Sequence, residues 1–179
     1  MTTSATLAQT IRPETNEFAE YYGKYINLVP DANILNTLKE QHAGTTEFIS
    51  KLSEEQGRLR YDEGKWSIKE VIGHLIDCER IFAYRALRFA RNDAVELAGF
   101  DQNGYVENGD FDVRTVPDLA HEYSHVRAAT LDLFENLNEE AWSRRGTANE
   151  SEITVRAIAW IIGGHEIHHI AGIRSNYLK

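Results

Sequence analysis

The chain has few of the residues that staple, break or anchor a fold. Its one cysteine, Cys78, among 179 residues excludes an internal disulfide and agrees with a reducing compartment. Three prolines leave long stretches free to be helical. No apolar run approaches the ~20 residues a membrane helix needs, so a membrane is not an expected partner. The start, MTTSATLAQTIRPETN, has neither a basic segment nor an apolar core of the secretory type, and the expected location is the cytoplasm. Positive charge is scarce as well. Nineteen Lys and Arg stand against 28 Asp and Glu, a net charge of −9, and no basic tract offsets that balance locally. Sequence-independent affinity for nucleic acid comes from Lys and Arg neutralising phosphates, so nucleic acid is not an expected partner either.

What remains is an ordinary globular composition, 42% hydrophobic and 26% charged, at a length suited to one well-cored domain. Residues 1–30 carry Phe18, Tyr21, Tyr22 and Tyr25, interrupted by Gly23 and Pro30. They are expected to form an arm packed across a main body spanning 31–179. Surface packing is the expected role of those tyrosines, with the border of a ligand pocket as the alternative.

The main body reads as four amphipathic helices. The first is expected from Asp31, as N-cap, to Leu52, with a stripe of Ile34, Leu38, Thr45, Ile49 and Leu52. The second opens on KWSIKEV. There Ser67 and Glu70 make a capping box, Trp66 can staple onto Val71, and the stripe Ile68, Val71, Leu75, Cys78, Phe82, Ala86 and Phe89 continues to about Arg91. The third spans about Val116 to Leu137, along Leu119, Tyr123, Val126, Thr130, Leu133 and Leu137. The fourth is capped by Thr154 and runs to about Asn176. No strand pattern stands out. Residues 92–115, rich in Gly, Asp and Asn, are too long for a tight helix–helix connection. They predict a crossover that leaves the second and third helices parallel. Phe100, Asp101, Tyr105 and Phe111 are its pocket candidates.

The chemistry concentrates in IIGGHEIHHIAGI, residues 161–173. At about 100° per residue, His165 and His169 leave the fourth helix on one face, within roughly 60° of Ile158. Buried imidazoles need hydrogen bonds or a metal, and an i, i+4 pair can share one ion. Glu166 and His168 flank that stripe. The string also fits H-E-x-x-H, in which the glutamate is a general base, yet no ligand-type residue follows His169, so a third ligand must come from upstream. His74 is the best upstream candidate, although it sits roughly 100° from its own stripe and by itself reads as exposed. His42 is a further candidate, or else a satisfied histidine at a helix boundary. A second H-E-x-x-H, at His121 and His125, lies away from its stripe and reads as solvent-facing. Gly73 precedes His74, and Gly163 and Gly164 precede His165, each costing about 1 kcal/mol relative to alanine inside a helix. Close approach of helix backbones, room for a ligand, or simple tight packing would each account for them.

The segment WSIKEVIGHLID, residues 66–77, followed by GHEIHH, residues 164–169, resembles the DinB/YfiT-like superfamily. The resemblance implies a four-helix bundle with a long crossover between helices 2 and 3, commonly dimeric, holding a divalent metal through His74, His165 and His169. Relatives include transferases and isomerases that use low-molecular-weight thiols such as bacillithiol or mycothiol, and others called metal-dependent hydrolases. The family name refers to induction by DNA damage, a matter of expression.

The expected function is therefore a metalloenzyme acting on a small-molecule substrate. An ion on three neutral imidazoles keeps an open position at which water or a thiol is activated. Zinc or nickel is the expected ion, although imidazole also suits copper and iron. Asp77 and Glu166 are candidates for proton handling or ligand support, and Arg85 for holding an anionic substrate, each against the alternative of an ordinary salt-bridging charge. A non-catalytic bundle, with its metal structural or sensing, is the competing expectation, and a closed site would favour it.

Overall fold

The computed structural model describes residues 7–30 and 33–179. Four helices carry the fold: α1 Ile34–Ser50, α2 Ile68–Ala90, α3 Val116–Glu135 and α4 Val155–Gly172. A π-helical turn, Ile173–Tyr177, prolongs α4. Their starts are fixed by side chains. Ser67 Oγ accepts from the Glu70 N–H at 3.1 Å while the Glu70 carboxylate accepts from the Ser67 N–H at 2.7 Å, the reciprocal capping box expected. Thr115 and Thr154 cap α3 and α4. Asp31 lies outside the described residues. The cap described for α1 is Asn33, whose Oδ1 accepts from Leu35 and Asn36.

Cross-helix pairs set the directions. Lys39 meets Glu135 and His42 meets Ser124, so α1 and α3 are antiparallel. Lys69 donates to the Arg114 carbonyl just before α3, and Glu79 pairs with Arg127 further along, so α2 and α3 run parallel. Gln41 reaches the Gly163 carbonyl and Thr45 reaches Glu166, which makes α1 and α4 parallel. The result is a four-helix bundle with a long crossover between its second and third helices. The crossover contains a short helix, Gln102–Glu107, and a single 3-10 turn, Phe111–Val113.

One element was not anticipated. Arg145–Ala148 (β1) pairs antiparallel with Ser151–Thr154 (β2), closed by Asn149 and Glu150 at φ of 53° and 61°. This is a two-residue hairpin loop of the kind that needs positive φ at both positions. Its strands are four residues long and its loop lacks glycine, so the usual hairpin signal is missing. Leu97 pairs with this hairpin through Thr147 and Asn149 and so anchors the crossover.

The stripe expected for α2 is buried throughout, from Ile68 to Phe89. On α3 the buried face is rotated. Arg127 and Phe134 are buried, while Val126 and Leu133 are only partly so, because α3 faces both α1 and α2. On α4 there is no single buried face: from Val155 to Glu166 every residue except Arg156 is buried, since α1, α2 and residues 23–26 all pack on it.

The core divides into two apolar clusters. One holds Leu38, Cys78, Phe82, Phe134, Trp160 and Ile162. The other holds Ile49, Ile76, Phe111, Tyr123 and Ile170. Each helix crosses from one to the other, and in the gap lie Thr45 of α1, Glu79 of α2, Arg127 of α3, and His165 and Glu166 of α4. Among the described residues no helix is long and apolar enough to cross a membrane.

Gly73 makes room for a side chain of the crossover, and Gly164 for the backbone of the short helix Gly23–Ile26. A Cβ on Gly73 would come 2.3 Å from the Phe111 ring, and one on Gly164 would come 2.0 Å from the Tyr25 carbonyl oxygen. They are packing positions, against the crossover and against the N-terminal segment. Phe111 is thereby a core residue rather than a pocket residue. Gly73→Ala and Gly164→Ala should each destabilise by about 1–3 kcal/mol through overpacking. Gly44→Ala, mid-helix with nothing within 4 Å of its Cβ position, should stabilise by up to ~1 kcal/mol. Denaturant unfolding of the three variants checks the opposite signs.

Candidate metal centre

Three imidazoles meet in the gap between the two apolar clusters. His74 enters from α2, and His165 and His169 from α4, with one ligand nitrogen of each within 4.8 Å of the others. The Nε2 atoms of His74 and His165 are 3.1 Å apart, and the His165 and His169 rings lie 4.6 Å apart, centroid to centroid. His74 is 3% exposed, in contrast to its position at the margin of the α2 stripe. It is covered because α4 crosses over it and the Trp66 ring lies 4.8 Å away. Tyr25 stands edge-on to His165 at 5.2 Å.

Burial decides the protonation of this group. Desolvation lowers His74 to about 4 and His169 to about 3, and drives His165 well below the ordinary imidazole range, with the neighbouring histidines adding to the last two. At neutral pH the three rings are uncharged and present lone pairs, and among the described residues no carboxylate belongs to the cluster. One N–H···N contact cannot satisfy three converging imidazoles, whereas a divalent ion can. The donor set fits such an ion. Cys78 Sγ lies beside the His74 ring, 3.5 Å from Nδ1 and 3.7 Å from Nε2. Burial pushes that thiol up to about 12. An i, i+4 spacing linked Cys78 to His74 in the sequence, but the apolar stripe masked it.

The acidic candidates lie elsewhere. Glu166 is engaged by three side chains outside the cluster. Its carboxylate accepts from Thr45 Oγ1 at 2.6 Å, Tyr123 OH at 2.7 Å and Arg127 Nη2 at 2.6 Å, because the residue after His165 is turned about 100° around the helix. Arg127 also donates two bonds to Glu79, at 2.7 and 2.8 Å. This buried Glu79–Arg127–Glu166 group escaped notice in the sequence, where Arg127 sits at the edge of an otherwise apolar stripe. Asp77 is half-exposed, 3.6 Å from Arg80, and its carboxyl is raised by desolvation with Arg80 opposing. It too stands outside the cluster. His42 is occupied by Ser124 at 2.8 Å, and His121 and His125 are solvent-exposed.

Two cavities adjoin the histidines. The larger, about 390 Å³, is bordered by His168 and His169, with Tyr61, Trp66, Asn103 and Tyr177. The smaller, about 140 Å³, is bordered by His165 and Cys78, with Tyr21, Tyr22, Tyr25, Phe82, Arg85 and Phe100. The N-terminal tyrosines thus line a cavity as well as packing. Of the crossover candidates, Phe100 lines the smaller cavity, Tyr105 packs on Phe100 at 5.2 Å, and Asp101 caps the 102–107 helix.

Fold and site together define a four-helix bundle with a three-histidine centre between its second and fourth helices. The chain belongs to the DinB superfamily, whose sequence profile matches residues 37–173. It is 30% identical over 133 residues to a Bacillus licheniformis protein named "putative metal-dependent hydrolase", covering 71% of this chain and 73% of that one. YfiT from Bacillus subtilis, described as a probable metal-dependent hydrolase with an unusual four-helix bundle topology, superposes with a TM-score of 0.71 at 18% identity, covering 92% of this chain and 90% of its own. A mycothiol-dependent maleylpyruvate isomerase superposes with a TM-score of 0.65 at 13% identity, covering 81% of this chain and 61% of that one.

Two predictions follow from the charges. Arg127→Met leaves Glu79 and Glu166 buried without a cation and should cost about 3–5 kcal/mol. Denaturation of variant and wild type at about pH 7 measures it. The histidines supply a pH dependence. Unfolded imidazoles titrate near ~6.5 and take up protons that the folded group refuses, so metal-free protein is most stable above that pH and weakens as pH falls toward the folded His74 value of about 4. A melting temperature that stays flat across that interval would contradict the buried, neutral cluster.

Proposed function

We propose that the protein is a divalent-metal-dependent enzyme of hydrolase type, with the ion held by His74, His165 and His169. The observation that carries this reading is the convergence of three neutral imidazoles, two buried and His169 partly so, beside a cavity, with no fourth protein ligand in the cluster among the described residues. Bound there, a divalent ion supplies an open coordination position that lowers the pKa of water toward ~7 or ionises a thiol. The name of the Bacillus licheniformis relative supports hydrolysis.

The chain's own residues do the rest. Cys78 packs beside the His74 ring. Trp66 and Tyr25 pack the His74 and His165 rings in place and keep water from them. Tyr61, Trp66 and Tyr177 offer aromatic faces to a substrate in the larger cavity, and Asn103 and Asn176 offer amides. His168 lines that cavity, its ring 5.0 Å from that of His169, and it is exposed enough to exchange a proton with solvent. Activation of a low-molecular-weight thiol is the second reading, favoured by the separate cavity on the His165 side, where one reactant can sit apart from the other.

Elemental analysis of untagged protein tests the site. About one zinc or nickel ion per chain, lost in His74→Ala and His165→Ala and kept in His121→Ala, is the expected outcome. No stoichiometric metal after reloading, or loss confined to His121→Ala, would overturn it. With metal-loaded protein, turnover of ester or amide substrates without added thiol supports hydrolysis, and consumption of an electrophile only in the presence of thiol supports transfer.

A further inference from the structure

Arg85 is 5% exposed, and among the described residues no carboxylate pairs with it. Its Nη2 donates to the Ala98 carbonyl at 3.0 Å, and the Tyr22 hydroxyl lies beside it. Arg127, similarly buried, is matched by two carboxylates. A guanidinium has five N–H donors, and a buried, uncompensated charge is costly. Arg85 therefore holds a positive charge and spare donors at the wall of the smaller cavity, the one that reaches His165.

The rest of the wall defines what the charge would meet. The Phe82 ring stands between the two ends, 6.3 Å from the His165 ring and 5.9 Å from the Arg85 guanidinium carbon, and Phe100 flanks Arg85 at the same 5.9 Å. No Asp or Glu borders this cavity among the described residues. The volume of about 140 Å³ is close to that of a cavity of about 150 Å³ that accommodates benzene.

We propose that this cavity binds a small, flat organic acid, with the carboxylate on Arg85, the body between Phe82 and Phe100, and the opposite end facing His165. This names the substrate class of the enzyme proposed above and rests on that reading. A carboxylate fits better than a phosphate. One guanidinium offers a single charge and a planar fork that matches a planar acid, whereas a dianion among aromatic rings would keep a charge unmatched. Arg85 is a binding residue here, and its bond to Ala98 holds the crossover loop against the same cavity.

Calorimetric titration with benzoate, benzamide and inorganic phosphate tests this, on zinc-loaded and on metal-free protein. Benzoate should bind wild type in both forms. Affinity should fall about tenfold or more in Arg85→Gln and for the neutral benzamide, and Phe100→Trp, which fills the cavity without touching the charge, should block binding. Benzamide binding as tightly as benzoate, benzoate affinity unchanged in Arg85→Gln, or phosphate matching benzoate would each overturn the assignment. Benzoate binding that vanishes on metal removal would overturn it too, because the acid would then be sitting on the ion. The metal-free arm separates the two proposals: a chain that takes no metal but binds benzoate through Arg85 refutes the metal reading alone. Should Arg85→Gln fail to fold, Arg85→Lys, which keeps the cation and loses the fork, and Phe100→Trp decide the outcome.

Discussion

Burying charge across the middle of a helical bundle is tolerable only if each charge meets its partner there, and in this protein Arg127 provides that match. Its guanidinium, 1% exposed, donates to Glu79 on α2 and to Glu166 on α4, with further bonds to the Leu38 carbonyl and Gln41 on α1. One side chain of α3 thus touches all three other helices at one level. Apolar packing tolerates small slides between helices, whereas a bidentate ion pair does not. The level at which α2 meets α4 is therefore set by this contact, and so is the approach of His74 to His165.

The histidine cluster depends on exclusion of water as much as on spacing. Trp66, Tyr25 and the crossover close around the rings, and the resulting desolvation, more than any charged neighbour, keeps them neutral. The two glycines make that closure feasible. Gly73 lets the Phe111 ring lie against α2, and Gly164 lets the Tyr25 carbonyl reach α4. The N-terminal segment and the crossover come together at the smaller cavity, Tyr22 from one and Phe100 from the other, so the two least regular parts of the chain shape the ground beside the most regular.

Much of the architecture was legible in the residues. Helix periodicity located α1 to α4, the Ser67–Glu70 box marked the start of α2, and the length of 92–115 implied parallel second and third helices. These are local or nearest-neighbour properties, and a linear pattern carries them. The i, i+4 spacing placed His165 and His169 on one face for the same reason. The β-hairpin was not legible, because four-residue strands and an Asn149–Glu150 loop carry almost no pattern of their own.

What tertiary structure alone decided is which side chains face one another across helices. His74 looks exposed on its own helical wheel and is buried only because α4 and Trp66 cover it. Glu166 looks like a partner of its neighbour His165, yet a turn of about 100° delivers it to Arg127 and Tyr123 on another helix. Arg85 reads as an ordinary helix charge until its neighbours are known to include aromatic rings and no acid. Sequence by itself determined the helices, the bundle and the histidine pair, since each depends on residues a few positions apart. The third histidine and the charge-matched layer depend on residues about 40 to 120 positions apart, and only packing could bring those together.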